Sequence, residues 1–255
     1  MKLLNYTYLE NNTKPTLVIL HGLLGSSDNW RTVANKLLLN FNIYCFDLRN
    51  HGASFHADSM SYKDMATDVI YSMDYLSINP EYIIGHSMGG KIVMRLLQEY
   101  SGFSKAIIVD IAPVKYSTHH EDVLNALKYV KFDGLISRGD LDAVLETYVS
   151  SIATRQLLMK NIARNETGVF KWKCNHLAIV NYYAEIMDLS HLNTVIDTKT
   201  LFIRGGQSDY INSDYLSHIT ALFSDVKINT IEKAGHWVQV QAPELFIQEC
   251  LGFFK

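Results

Sequence analysis

The sequence predicts an α/β protein whose mostly parallel sheet is flanked by helices. Short continuous runs of Val, Ile and Leu are typical of strands buried on both faces. These runs alternate with segments of helical period, which favours parallel strands joined by helices. The chain has 255 residues, of which 48% are hydrophobic and 19% charged, as expected for one large globular domain.

The first part of the chain supplies four of the strands and three of the helices. The apolar runs that predict strands are "TLVILHG", "NIYCFDL", "EYIIGHS" and "KAIIVDIAP". The stretches of helical period are "NWRTVANKLLL", "YKDMATDVIYSMDYL" and "MGGKIVMRLLQEY".

The pattern changes after Pro113 and then returns. Residues 114–195 are mostly helical in period, with "GVFKWKC" as an extended interruption. Two further strands, "TKTLFIRGG" and "VKINTIEKAG", are followed by a closing helix, "PELFIQECLGFF". We therefore predict a core formed by residues 1–113 and 196–255, with a helical cap inserted at 114–195.

Charge and cysteine content exclude several classes of protein. A net charge of -3 and a pI near 6.3 provide no basic field, so no nucleic-acid partner is expected. The N-terminal residues carry no apolar run typical of a signal peptide, and no stretch is long enough to span a bilayer. The cysteines Cys45, Cys174 and Cys250 are widely separated and odd in number, which argues against a disulfide framework. We expect a cytoplasmic protein with no membrane partner.

One stretch, "EYIIGHSMGGKI", fits two catalytic motifs. Its G-x-x-x-x-G-K begins a phosphate-binding P-loop, but the next position, which should carry a hydroxyl for Mg²⁺, is Ile92. The same residues contain G-x-S-x-G between a strand and a helix, the context of a nucleophile elbow centred on Ser87. Gly85 and Gly89 stand where a side chain would collide in such a turn. We favour the elbow, which leaves Lys91 as an ordinary helix residue.

A serine nucleophile needs a general base, and His236 is the best candidate. It lies in "AGHW", between the last predicted strand and the closing helix, and so follows the serine and the acid in the expected chain order. His21 and His86 lie in glycine turns, which they are expected to shape. His119 and His120 lack metal-ligand spacing and are interpreted as a solvated pair. No metal or other cofactor is expected.

The acid that orients the histidine has two candidates at strand ends, Asp110 and Asp209. Many proteins of this type place the acid after the later strand as G-x-x-D, but counting from Gly205 that position is Ser208. A shift of one residue in an extended segment turns the side chain to the opposite face. We favour Asp110, which ends the strand that follows the nucleophile's helix, and Asp209 remains the alternative.

Two backbone amides are candidates for an oxyanion hole. One belongs to Met88, the residue after the nucleophile, and the other to Leu23, in the turn after an early strand. Aromatic residues that are candidates to line an acyl pocket are Tyr116, Trp172 and Trp237.

Basic residues in the middle of the predicted cap could attract an anionic leaving group such as coenzyme A, although most such residues are simply solvated. They are Arg155, Lys160, Arg164, Lys171 and Lys173.

Five motifs in order resemble a known family. "HGLLGSSDNW", "DLRNHGAS", "GHSMGGK", "VDIAPV" and "AGHW" are together similar to the α/β-hydrolases and, within them, to the bacterial YbfF-type esterases. The resemblance implies an eight-stranded sheet with a helical cap between strands six and seven. It also implies Ser87 as nucleophile, His236 as base, Leu23 and Met88 as oxyanion donors, and an acid in "VDIAP", at Asp110.

The resemblance further implies hydrolysis of carboxyl esters with short acyl chains, and of some acyl-CoA thioesters, without a cofactor. We therefore expect a serine carboxylesterase that acts on a small-molecule ester or thioester. The alternatives are a C–C hydrolase or lyase on the same scaffold, and a ligand receptor with little turnover. The oligomeric state is left open.

Overall fold

Seven strands form the main sheet of the protein, whose computed structural model describes residues 2–11 and 14–255. In chain order they are β1 (Tyr6–Leu9), β2 (Thr16–Leu20), β3 (Asn42–Phe46), β4 (Tyr82–His86), β5 (Lys105–Val109), β8 (Lys199–Gly205) and β9 (Val226–Ile231). A separate two-stranded sheet consists of β6 (Ile162–Arg164) and β7 (Phe170–Trp172).

The strands of the main sheet are ordered β1-β3-β2-β4-β5-β8-β9. Only β1 runs antiparallel to its neighbour β3, and the other five pairings are parallel. The carboxyl ends of six strands therefore meet at one edge, which is where ligands bind in open parallel sheets.

The predicted fold class is confirmed, but the expected number of strands is wrong. Within the residues that the structure describes, the main sheet has seven strands rather than eight. The segment expected to follow a sixth strand lies between β5 and β8, after the fifth strand of the main sheet in chain order.

Helices connect the strands and cover both faces of the main sheet. After a short 3₁₀ helix (Ser27–Trp30), they are α1 (Arg31–Leu37), α2 (Tyr62–Tyr75), α3 (Met88–Glu99), α4 (Glu121–Tyr129), α5 (Arg138–Glu146), α6 (Ile152–Lys160), α7 (His176–Asn181), α8 (Tyr183–Ile186), α9 (Ser213–Leu222), α10 (Val238–Gln241) and α11 (Pro243–Phe254).

Two hydrophobic clusters lie on opposite faces of the sheet. Along β2, Val18 and Leu20 belong to one cluster, and Leu17 and Ile19 to the other, as the two-residue period of a strand requires. The first cluster includes residues of α2 and α3, and the second includes residues of α1 and α11. These four side chains are fully buried, which explains why the strand is apolar from Leu17 to Leu20.

Residues 114–195, called the insertion below, contain α4 to α8 and the small sheet of β6 and β7. The extended stretch predicted at "GVFKWKC" corresponds to β7. The insertion contacts the loops after β2 and β3, because Asn161 Nδ2 donates to Leu24 O at 2.7 Å and Asn175 N donates to Asn50 O at 3.0 Å. Both loops lie at the carboxyl edge of the sheet.

In residues 2–11 and 14–255, no helix has the length and apolar character needed to cross a membrane.

Candidate active site

Ser87 occupies a strained turn between β4 and α3. Its φ of 53° and ψ of -119° place a non-glycine residue where L-amino acids are rarely found. Such strain costs about 1–3 kcal/mol and persists only where the surrounding structure enforces it. Here the end of β4 and the start of α3 enforce the turn, which directs the hydroxyl toward the cavity described below.

Close backbone contacts explain the two glycines that flank Ser87. A Cβ atom at Gly89 would lie 2.5 Å from the carbonyl oxygen of Leu20, at the end of β2. A Cβ atom at Gly85 would collide with the backbone of Gly89 itself. The elbow can therefore form only if both positions lack a side chain.

A chain of hydrogen bonds joins Ser87, His236 and Asp110. The Nδ1 atom of His236 lies 2.8 Å from Asp110 Oδ2, and Nε2 lies 3.0 Å from Ser87 Oγ. Since a carboxylate only accepts hydrogen bonds, Nδ1 carries the ring proton and Nε2 is left to accept from the serine hydroxyl. This is the arrangement in which imidazole can remove a proton from serine.

Asp110 is fully buried and compensated by hydrogen bonds rather than by a cation. Besides the imidazole, its carboxylate accepts from the amide of Gly205 at 2.9 Å and from the hydroxyl of Ser208. Its φ of 50° is left-handed, like that of Ser87. The structure thus places Asp110 against the imidazole.

The alternative acid, Asp209, is exposed in the loop between β8 and α9. Its neighbour Ser208, at the G-x-x-D position noted in the sequence, points toward Asp110. The hydroxyl of Ser208 donates a hydrogen bond to Asp110, so Ser208 supports the acid and does not take its place.

His86 and His21 are buried neutral histidines with structural contacts. His86 Nε2 lies 2.8 Å from the carbonyl of His236, so the ring donates there and supports the loop of the candidate base. His21 donates from Nδ1 to the Gly22 carbonyl at 2.8 Å and accepts at Nε2 from Leu48 N at 3.0 Å. Burial lowers the pKa of both rings, and that of His86 falls well below its usual value.

A cavity of about 140 Å³ opens beside Ser87 and His236. Its volume is below the roughly 300 Å³ at which pockets for drug-sized ligands begin, so it suits a small group. The predicted residues that line it are Leu23, Met88, Tyr116 and Trp237.

The backbone near Leu23 and Met88 is suited to an oxyanion. Met88 is the first residue of α3, and an amide at that position has no partner within its own helix. Leu23 follows Gly22, where a Cβ atom would lie 3.2 Å from Ser87 Cβ, so this turn directly adjoins the serine.

Two groups of predicted site residues lie elsewhere. Trp172 is outside the cavity because its ring packs edge-on against Phe132, with centroids 5.5 Å apart, within the insertion. Among the basic residues, Arg155 is buried and paired with Asp142 and Glu146, so it is not a free cation.

Arg164 donates to the carbonyls of Gly168 and Ile136 and is also engaged within the insertion. Arg164 is nevertheless exposed, as are Lys160, Lys171 and Lys173.

Lys91 is not the ordinary helix residue that the sequence predicted. It is 1% exposed, and its Nζ donates to Met187 O at 2.8 Å and to Val114 O at 3.1 Å, at the two ends of the insertion. The ammonium also lies 4.8 Å from the centroid of the Tyr116 ring. Burial lowers the pKa of Lys91 to about 7.

The expected solvated pair is only partly correct, because His119 is exposed but His120 is half-buried, and both rings have specific partners. His119 Nε2 lies 2.7 Å from the hydroxyl of Tyr210, and His120 Nδ1 lies 2.7 Å from that of Tyr183. His120 and Tyr210 both line the cavity. Motif analysis missed these contacts because they join residues 63 and 91 positions apart. Across the part of the chain that the structure describes, no cluster of three or more His, Cys, Asp or Glu side chains could hold a metal ion.

Comparison with known proteins identifies the family of this chain. Residues 15–243 match the family model described as the alpha/beta hydrolase fold. Esterase YbfF of Escherichia coli K12 is 32% identical, with 94% of this chain and 92% of YbfF aligned. The sn-1-specific diacylglycerol lipase ABHD11 of Xenopus laevis is 34% identical over 94% of this chain and 80% of its own length.

A solved structure of a marine microorganism esterase superimposes with a TM-score of 0.94 at 37% identity, covering 98% of this chain and 99% of that one. The match spans both the sheet and the insertion. The chain therefore belongs to the α/β-hydrolase family and resembles its YbfF-type esterases.

Proposed function

We propose that the protein is a serine carboxylesterase that hydrolyses esters of short acyl chains through an acyl-enzyme. The observation that carries this proposal is the hydrogen-bonded chain from Ser87 through His236 to Asp110, which opens onto the cavity. The names of the related esterases and lipases support a substrate with an ester bond.

In the first half of the reaction, His236 Nε2 removes the proton of Ser87 as Oγ attacks the ester carbonyl. The imidazolium that forms keeps its proton on Nδ1 and donates it in a hydrogen bond to the buried Asp110, which holds the ring in the productive tautomer. The amides of Leu23 and Met88 donate to the oxyanion of the tetrahedral intermediate. One such donor contributes roughly 3 kcal/mol to transition-state stabilisation.

Collapse of the intermediate releases the alcohol with a proton from His236 and leaves the acyl group on Ser87. Water, activated by the same imidazole, then attacks the acyl-enzyme and regenerates the serine. The cavity of about 140 Å³ favours short acyl chains as the group held during both steps.

The insertion supplies part of the cavity wall, and we propose that it acts as the cap of the active site. Thr154 and Leu157 of α6 lie in that wall, together with His120 and Val123 at the start of α4. Acyl-CoA thioesters remain candidate substrates, for which the exposed Lys160, Lys171 and Lys173 are candidate cations.

The three cysteines are free thiols and buried, which supports a reducing compartment such as the cytoplasm as the proposed location.

The test combines a covalent probe with a substrate series. A fluorophosphonate should label the wild type and Ser101→Ala, an exposed control, but not Ser87→Ala. Wild-type turnover of p-nitrophenyl esters should be highest for short acyl groups and absent in Ser87→Ala. Labelling without turnover of any ester would favour a receptor, and turnover by Ser87→Ala would refute the proposal.

A further inference from the structure

The outer face of the His236 ring is covered by an aromatic side chain that no motif identified. The rings of Tyr210 and His236 are stacked, with centroids 3.9 Å apart and planes inclined by 23°. Tyr210 lies in the loop between β8 and α9 and lines the same cavity as Ser87. It therefore contacts the candidate general base directly and lies in the cavity wall.

Tyr210 is fixed at both ends. Its carbonyl accepts from the hydroxyl of Tyr116 at 2.6 Å, and its amide donates to Ser208 Oγ at 3.3 Å. At the other end, its hydroxyl lies 2.7 Å from His119 Nε2 and 3.3 Å from His120 Nε2. Three of these four partners are not neighbours in sequence but belong to the start of the insertion.

The protons of this cluster have one consistent order. His119 Nδ1 faces the carbonyl of Ser117 at 2.8 Å and must donate, so in the neutral ring Nε2 accepts from the Tyr210 hydroxyl. His120 Nδ1 can accept from Tyr183, which leaves Nε2–H to donate to the Tyr210 oxygen. Burial, followed by the neighbouring His119, lowers the pKa of His120 to about 4, which keeps that ring neutral near pH 7.

The stacked ring constrains a motion that the hydrogen bonds of His236 leave open, and it packs more closely than the ring of His86, whose centroid lies 4.8 Å away with the planes inclined by 44°. Asp110 and Ser87 bind the two nitrogens at the edge of the imidazole and so fix rotation within its plane. Hydrogen bonds at an edge resist tilting of the plane only weakly. A second flat ring at 3.9 Å blocks such tilting, and its π-face also attracts the imidazolium formed during reaction.

We propose that Tyr210 is a positioning residue for the general base: its ring sets the plane of the His236 imidazole, and His119 and His120 lock that ring through its hydroxyl. The inference rests on the proposed function, since it assigns Tyr210 a role in the same acyl transfer. It goes further by connecting the start of the insertion to the base through side chains.

The first test separates the ring from the hydroxyl. Tyr210→Leu removes both and should lower kcat by about 10- to 100-fold, the scale of a misplaced catalytic group, with little change in KM. Tyr210→Phe keeps the stacked ring and should lose only about threefold, as expected for one hydrogen bond. Tyr129→Leu, at a tyrosine of the insertion that is 60% exposed, is the control. Equal losses in the Phe and Leu variants, or wild-type kcat in Tyr210→Leu, would overturn the proposal.

A double-mutant cycle keeps the test decisive if Tyr210→Leu does not fold. His119→Leu removes one of the two partners of the hydroxyl, at an exposed position, and should lose no more kcat than Tyr210→Phe. The double variant should lose no more than Tyr210→Phe alone, because that variant already breaks the hydrogen bond to His119. Additive losses would mean that the hydroxyl and His119 act separately, against the proposal.

A spectroscopic signature distinguishes this role from general destabilisation and from failure of the proposed function. The low-field NMR resonance of the His236 Nδ1 proton, assigned by its absence in His236→Gln, should persist in Tyr210→Phe and broaden in Tyr210→Leu. This readout does not depend on turnover. A sharp resonance in Tyr210→Leu refutes the positioning role even if Ser87→Ala is inactive, whereas an active Ser87→Ala refutes the esterase mechanism alone.

Discussion

The strand ends of the sheet and the insertion hold their site residues by different means. At the strand ends, Ser87 and Asp110 are fixed by the backbone, with left-handed φ angles of 53° and 50°. Where the insertion meets the core, Lys91 of α3, His119 of the insertion and Tyr210 of the loop after β8 are fixed by contacts between their side chains and distant partners. The first group forms the hydrogen-bonded chain to His236, and the second surrounds it.

This difference indicates where the protein tolerates change. A residue held by backbone strain and close contacts cannot shift slightly to accommodate a different side chain. Substitution there should therefore abolish the chemistry. A residue held by side-chain contacts can be replaced with a graded loss. We therefore expect the strand ends to determine whether an ester is cleaved, and the insertion to determine which ester.

The largest difference in kcat between two variants is expected at the two candidate acids, Asp110 and Asp209. Asp110→Asn should lower kcat by about 10⁴-fold, because an amide no longer enforces the productive tautomer of His236. Asp209→Asn, at an exposed carboxylate, should stay within about twofold. Steady-state kinetics on a short p-nitrophenyl ester measures both, and similar losses in the two variants would show that neither is the acid.

A smaller but still large effect is expected from a methyl group in the elbow. Gly89→Ala places Cβ 2.5 Å from the Leu20 carbonyl and should lower kcat/KM by at least about 100-fold by shifting Ser87. Gly252→Ala in α11 is the matched control, since its Cβ meets no atom within 4 Å.

The control should be as active as wild type and slightly more stable, by about 0.5–1 kcal/mol, because alanine favours the helix. Thermal unfolding together with kinetics separates the two outcomes. Full activity in Gly89→Ala would contradict the view that backbone contacts fix the nucleophile.

In the insertion, a substitution is expected to change the preference for acyl chain length. Leu157→Ala enlarges the cavity and should raise kcat/KM for longer acyl chains by about fourfold per methylene accommodated, while leaving the acetyl ester nearly unchanged. Ile152→Ala, on the same helix but 64% exposed, is the control. The comparison breaks down if Leu157→Ala lowers turnover of all chain lengths alike.

The smallest effect on activity is expected from Lys91→Met, which should instead alter the dependence of stability on pH. The pKa of Lys91 is about 7 in the folded protein, against an ordinary value of 10.5. Between these values the unfolded chain holds the proton that the folded chain has lost, so this lysine makes stability rise with pH.

The variant should lose that contribution, at most about 1.4 kcal/mol per pH unit, between pH 7 and about 10. Urea unfolding at several pH values measures the slope. Parallel slopes in wild type and Lys91→Met would mean that the amine keeps its proton throughout this range.

The distinction between local backbone features and distant side-chain contacts also describes what the sequence could predict. Strands β2 to β5 are continuous apolar runs, and the elbow is a local motif, so both are visible in a few adjacent residues. Strand β1, "YTYL", was missed because its side chains are partly exposed and do not form such a run.

Lys91 was misjudged because its partners are 23 and 96 positions away, and Tyr210 was missed because its stacking on His236 depends on two separate loops. Ser208 was noted only as the occupant of an acid's usual position. Its contact with Asp110 could not be read from spacing, since it depends on how β5 and β8 align.

The insertion leaves and re-enters the sheet as two adjacent antiparallel segments, joined by a bridge between Lys115 and Asp188. Tyr116 N also donates to Met187 O at 2.9 Å, so both ends lie side by side above α3. The whole insertion could thus be exchanged between related chains at this one pair of adjacent segments, without changes to the strands of the main sheet. Variation in substrate range within such a lineage can therefore arise by swapping one module rather than by gradual remodelling of the scaffold.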